Sequence, residues 1–246
     1  AKLQVGFTEF APGLAKAFAP EADLAKPNPL EVNPLDKNAI VDWLEANPNN
    51  IWALNTTCAN LVEEEKFLES IPLLERSIKL HPRQRGAGSP YGMLARAHRE
   101  LGQAEDELAV LEQWAAIEDA ATKLYGRLME IHSERENWSA VDRLAKRFFS
   151  ANPLSPIGHR FMALTAQQTG RRADTIRPLR RLLLLDPADP VDLHFRLATA
   201  LADTATDEAR RHVLQALEDA PRFRDAQKLL IRLAKPDSTA VEAKAQ

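Results

Sequence analysis

Six histidines and a single cysteine are the side chains of this 246-residue chain best suited to chemistry, as general bases, metal ligands or a nucleophile. Their placement argues for another use. His98 and His132 lie 34 residues apart at one position of a recurring pattern, and His159 and His194 share another. A catalytic side chain is needed once, whereas recurrence at a pattern position is what packing demands. The chemical alternative is a metal held between His98 and His132 on stacked helices. Cys58 alone excludes an internal disulfide and any zinc site built from cysteines. No His-Glu-x-x-His, no Ser/His/Asp arrangement and no paired carboxylates stand out, and Glu63-Glu64-Glu65-Lys66 reads as a solvated helix end. Neither catalysis nor a cofactor is expected of these residues.

Composition narrows the class of element that positions them. With 45% hydrophobic and 27% charged residues the chain has ample material for a core. A net charge of −3 gives no general attraction to nucleic acid or anionic lipid. Residues 150–235 hold 14 Lys and Arg against 10 Asp and Glu, too thin an excess for a nucleic-acid stripe. The leucine run in "RRLLLLDPADP" is bracketed by charge, and nothing approaches the roughly 18 to 20 apolar residues of a membrane span. One thiol suits oxidising and reducing surroundings alike, so the compartment stays open. The start at Ala1, without Met or a secretory apolar stretch, reads as a piece of a longer chain or a processed end.

Period explains the leucine run. Asn47-Pro48, His81-Pro82, Asn152-Pro153, Asp186-Pro187 and Ala220-Pro221 set prolines 34, 71, 34 and 34 residues apart, the surplus falling in the loop "RQRGAGSP". Proline forces its predecessor out of the α region, so each marks a helix end and the leucines form the last turn of a buried helix. Within a period two amphipathic helices follow one another. Tyr91, Leu94, Ala95 and His98 lie on the first, and Leu108, Leu111, Trp114 and Ala115 on the second. Gly102 and Gly170 suit left-handed residues between paired helices. Ser89-Pro90, Ser155-Pro156 and Asp189-Pro190 each offer a capping oxygen and a first-turn proline. Pro72 and Pro178 fall inside second helices.

This pattern of large, small and aromatic positions resembles the tetratricopeptide repeat. The first repeat supplies Leu54, Thr57, Cys58, Leu61, Phe67, Ser70, Leu74, Ser77 and Pro82; the second has Asp119 where proline is expected. The fifth, with His194, Leu197, Ala198, Leu201, Ala209, Ala216 and Pro221, has an inter-helix turn one residue shorter. The resemblance implies an all-α solenoid, a right-handed superhelix of antiparallel helix pairs, over residues 36–235 with about five pairs plus capping helices. It places Cys58 where a small, inert side chain is wanted. Residues 1–35 read as an N-terminal helix interrupted near Pro12 and a Pro-rich linker, the tail of an upstream domain; residues 236–246 read as a flexible tail. The N-terminal segment, the linker and "ARRHVLQALEDAPRFRDAQKLL" also resemble the repeat region that follows a zinc-dependent peptidase domain in some bacterial multidomain proteins. That resemblance implies an accessory role to a catalytic domain upstream.

The resemblance further implies a concave groove lined by first helices at their second, fifth, sixth, ninth and twelfth positions. Trp52, Asn55, Arg96, Arg99, Lys123, Arg127, Arg160, Phe161, Phe195 and Arg196 occupy such positions. Arginine pairs bidentately with carboxylates and aromatics hold apolar groups, so the matching partner is a protein or peptide segment, acidic with apolar anchors. The alternative is that these arginines are solvated or pair with Glu130 and Glu134. Ala59 stands where a chaperone-type carboxylate clamp needs Asn. Weak self-association through an uncapped end is a third reading.

Overall fold

The structure, a computed structural model, describes residues 19–29, 31–86, 88–119, 121–185 and 188–234. The expected N-terminal helix, the tail at 236–246 and the Asp186-Pro187 helix end lie outside them. Twelve helices make up the described residues, with no strand among them beyond one bridge between Asp23 and Asn50. They are α1 (Lys37–Ala46), α2 (Ile51–Glu63), α3 (Phe67–Leu80), α4 (Pro90–Glu100), α5 (Ala104–Ala115) and α6 (Thr122–Glu134), followed by α7 (Trp138–Ala151), α8 (Pro156–Gln168), α9 (Arg172–Leu184), α10 (Pro190–Leu201), α11 (Thr206–Asp219) and α12 (Arg224–Ala234). The chain forms two compact units, Ala1–Leu124 and Tyr125–Gln246. In the first, α1 through α5 pack in sequence and α4 also touches α2. In the second, each helix from α7 to α12 packs on the next. Among the described residues no helix is long and apolar enough to cross a membrane.

The helix ends are local chemistry repeated. Asn47, His81, Asn152 and Ala220, each followed by proline, close their helices at φ between −129° and −138° and ψ between 66° and 74°. These extended values are what the following pyrrolidine ring imposes. The turns inside the pairs share a second device. Glu65, Gly102, Glu136 and Gly170 are left-handed, with φ of 59°, 72°, 54° and 71°. After each, an amide reaches back five residues: Lys66 to Leu61, Gln103 to His98, Asn137 to His132 and Arg171 to Ala166, at 2.8–2.9 Å. These are Schellman caps, which satisfy carbonyls the helix itself leaves open. The fifth pair differs as its shorter turn requires. Thr204 and Ala205 both donate to the Leu201 carbonyl, with no left-handed residue in the turn.

Helix starts depart from expectation. Pro90, Pro156 and Pro190 do open their helices, and the Asp189 carboxylate accepts from the Asp192 amide at 3.0 Å. Ser89 and Ser155 make no side-chain cap; the Ser89 hydroxyl donates to the Gln84 carbonyl instead. Proline at the first position supplies the helical φ and leaves one fewer amide to satisfy. Elsewhere Asp36, Asn50 and Asn137 accept from first-turn amides.

Packing follows the repeat register. On the first helices Leu54, Tyr91, Tyr125 and His159 are buried at one position, and Cys58, Ala95, Met129, Ala163 and Ala198 at another. On the second helices Ser70, Glu107, Val141, Thr175 and Ala209 are buried at one matching position. Trp114 is large for its position, and Gly92 makes room: a Cβ there would sit 3.0 Å from the indole. The leucine run is only partly buried. Leu182 is in the core, but Leu184 is 75% exposed, because α9 turns that side of its last turn outward.

The Pro-rich segment is held against the first unit. Asn50, fully buried, donates its amide to the Asp23 carboxylate at 2.7 Å and the Ala25 carbonyl at 2.8 Å, while its oxygen accepts from Ala53. The Ile51 amide donates to the Asp23 carbonyl and the Asp23 amide to the Asn49 carbonyl.

Left-handed geometry is nearly free for glycine but costs other residues about 1 kcal/mol. Glu65→Gly and Glu136→Gly should each raise unfolding stability by roughly 0.5–1 kcal/mol, and Gly102→Ala or Gly170→Ala should lower it by a similar amount. Urea unfolding followed by circular dichroism checks both signs.

Candidate functional site

Four of the ten candidate groove residues line two clefts, one in each unit. In the first, a cleft of about 510 Å³ is floored by Trp52, Asn55, Thr56 and Ala59 of α2 and Met93 of α4, with Leu24 and Lys26 of the pinned N-terminal segment on its wall. Asn50 therefore acts twice, capping α2 and holding this wall in place. Asn55 is already engaged, its side-chain oxygen accepting from the Ser77 hydroxyl at 2.7 Å. Thr56 donates to the Trp52 carbonyl, which leaves the half-buried indole as the main contact surface.

In the second unit a cleft of about 350 Å³ lies between α8, α9 and α10, lined by Gln167, Arg172, Thr175, Phe195, Arg196 and Thr199 among others. Arg196 is braced. Its guanidinium donates to the Gln167 oxygen at 3.3 Å and pairs with Asp192 of its own helix at 3.4 Å. Phe195 leans on Phe223, with ring centroids 4.7 Å apart. An aromatic face and a fixed cation thus share one opening, the pairing needed to hold an apolar side chain beside a carboxylate.

The remaining predicted residues lie outside these clefts. Arg96 sits over the Phe67 ring at 6.0 Å, Arg99 pairs with Glu100 at 3.0 Å, and Arg127 pairs with Glu130 at 3.5 Å. Lys123 and Arg160 are exposed, and Phe161 is half-buried on α8. Thr56, Met93, Gln167 and Thr199 also line the clefts, at groove positions of the repeat outside the predicted set. Position in the repeat was their signal. Arg172 and the Leu24–Lys26 wall reach the clefts from outside the first helices.

Four of the six histidines have hydrogen-bond or ring partners within the fold, and the cysteine is buried. His98 is buried and bonds Gln103 at 2.7 Å; His159 donates from Nε2 to the Pro153 carbonyl at 3.2 Å with its ring edge on Phe149. His194 and His212 stack, one imidazole donating to the other across 2.9 Å. Among the described residues no group of three or more His, Cys, Asp or Glu side chains is placed to hold a metal. Cys58 is fully buried and desolvation pushes its thiol up to about 12, far from the thiolate a nucleophile needs.

Comparison with known proteins places the fold. No family model and no curated protein matches the sequence. Solved structures do match in shape. YrrB, described as a TPR protein with an unusual peptide-binding site, superposes with a TM-score of 0.60 at 11% identity over 78% of this chain and 98% of its own. MamA gives 0.55 at 14% identity over 69% and 93%. A tetratricopeptide repeat protein from Parabacteroides merdae gives 0.51 at 13% identity over 81% and 91%. Likeness at this identity establishes the fold.

Burial holds the imidazoles of His159 and His194 below their ordinary range; at His159 the hydrogen bond to the Pro153 carbonyl opposes this and Arg181 and Arg177 add to it, while at His194, His212 adds to it and Asp219 opposes it. An imidazole kept neutral in the fold is protonated more readily in the unfolded chain, so its contribution is complete above about pH 6.5 and is lost as pH falls below it. The urea midpoint should fall between pH 7 and pH 5, and His194→Asn should flatten part of that slope. A pH-independent midpoint would contradict this account.

Proposed function

Starting from a chain with the tetratricopeptide-repeat fold, we propose that it is a non-catalytic protein-interaction scaffold that binds an extended, acidic peptide segment with apolar anchors on the faces of its first helices. The observation that carries this reading is the second-unit cleft, where Phe195 offers an aromatic face beside Arg196, and Arg196 is held by Gln167 and Asp192. A braced guanidinium loses little rotamer freedom on binding, so more of a carboxylate contact is realised as affinity. The first-unit cleft adds an apolar seat on Trp52 and Met93, with Lys26 at its rim. A chaperone-type clamp is disfavoured, since Ala59 supplies no amide to the terminal carboxylate. Absence of catalysis is part of the same proposal, supported by histidines and a cysteine committed to packing. A role beside an upstream zinc-dependent peptidase domain has no observation in these clefts that favours it.

The test is fluorescence anisotropy with a labelled acidic peptide carrying Phe and Leu. Arg196→Glu and Phe195→Ala should each weaken binding about tenfold or more, corresponding to roughly 1.4 kcal/mol, while Arg99→Glu changes it little. Binding should also weaken as salt rises. Equal affinity for the wild type and the Arg196→Glu and Phe195→Ala variants would remove the proposal.

A further inference from the structure

A third cleft, of about 410 Å³, opens in the second unit away from the groove, between the α7–α8 turn and the last turns of α9. Phe149, Leu154, Met162 and Leu184 give it an apolar lining, and Arg177 and Arg181 stand at it. Two of those leucines are large side chains left open to water, Leu154 at 79% and Leu184 at 75% exposure. Scattered exposed leucines are ordinary, but two flanking one apolar hollow form a patch.

The arginines around α9 divide by face. Arg171 pairs with Asp174 and Asp142, Arg172 with Asp203 at 3.2 Å, and Arg180 with Glu208 at 2.6 Å. Arg177 and Arg181 have no acidic partner among the described residues. They lie four apart on one helix, a spacing at which like charges repel. Their joint field reaches the buried His159 beneath the cleft. A hollow that is apolar within and doubly cationic at its edge is complementary to a side chain that is apolar and flanked by carboxylates.

We propose that this cleft is a second docking site, separate from the groove, for a short acidic segment of another protein that inserts one bulky apolar side chain between Leu154 and Leu184 and sets its carboxylates on Arg177 and Arg181. The occupant is a peptide, because the hollow accommodates one or two side chains. The site is independent of the groove reading, sharing no residue with either groove cleft.

The three methionines provide the readout, since Met162 lines this cleft, Met93 lines the first-unit groove and Met129 is buried in the core. With the methyl groups carbon-13 labelled, titration with acetyl-Glu-Asp-Leu-Phe-Asp-Glu-amide should shift the Met162 resonance and leave Met129 in place. Arg181→Glu, at an exposed position, should weaken that response at least tenfold with an unchanged circular dichroism spectrum, and Leu184→Ser should weaken it as well. Arg196→Glu should leave it unaltered. A peptide with lysines in place of its acids should not move Met162. The proposal is overturned if Met162 stays still at millimolar acidic peptide, if the lysine peptide binds equally, or if Arg181→Glu has no effect. It is also overturned if Arg196→Glu abolishes the response, which would assign the binding to the groove, or if Met162 shifts with protein concentration alone, which would make a second copy of the chain the occupant.

Discussion

Close approach of paired helices is the constraint from which everything else in this chain follows. Helix axes draw together where side chains are slim, and most periods place a slim residue at one position of the first helix and one of the second, Met129, Glu107 and Val141 being the exceptions. The slim residues are Cys58, Ala95, Ala163 and Ala198 on the first helices, and Ser70, Thr175 and Ala209 on the second. Interiors are packed as densely as organic crystals, so an oversized residue at such a point must be offset nearby. Trp114 illustrates the offset, made possible by Gly92 on the facing helix. Histidine enters the core on the same terms. An imidazole with a local acceptor, such as Pro153 for His159, fills aromatic volume without leaving a polar atom stranded.

Register then depends on stopping each helix at the right residue. Prolines end the second helices from outside, and left-handed residues end the first helices from within. Both signals are local, which is why period, helix pairing and the shortened fifth turn were legible in the sequence. The turns at Glu65 and Glu136 were not signalled by residue type, because glutamate gives no hint of a left-handed conformation; only their repeat position does. Ser89 and Ser155 carried a cap signal that the fold leaves unused. Asn50 and the exposed face of Leu184 depend on contacts between segments distant in sequence, which no local pattern encodes.

The lining of the candidate clefts was legible only in part. Choosing groove positions from the sequence found Trp52, Asn55, Phe195 and Arg196, which line the two clefts, but also Arg99 and Arg127, which line neither. What separates a presented cation from a neutralised one is the geometry of its neighbours. Arg196 has a brace across to Gln167 on the adjacent first helix, and Arg177 and Arg181 have no acid within reach among the described residues.

The most direct measurement is a paired substitution read by urea unfolding. Ala163 is fully buried on α8, in one core cluster with Leu179 and Leu182 of α9, whereas Ala173 is exposed on α9. Enlarging each to leucine adds the same apolar volume to neighbouring helices. Ala163→Leu should cost roughly 1–3 kcal/mol through overpacking, and Ala173→Leu should stay within about 0.5 kcal/mol of the wild type. Equal effects at the two positions would contradict the claim that slim side chains at these points hold the helix pairs together.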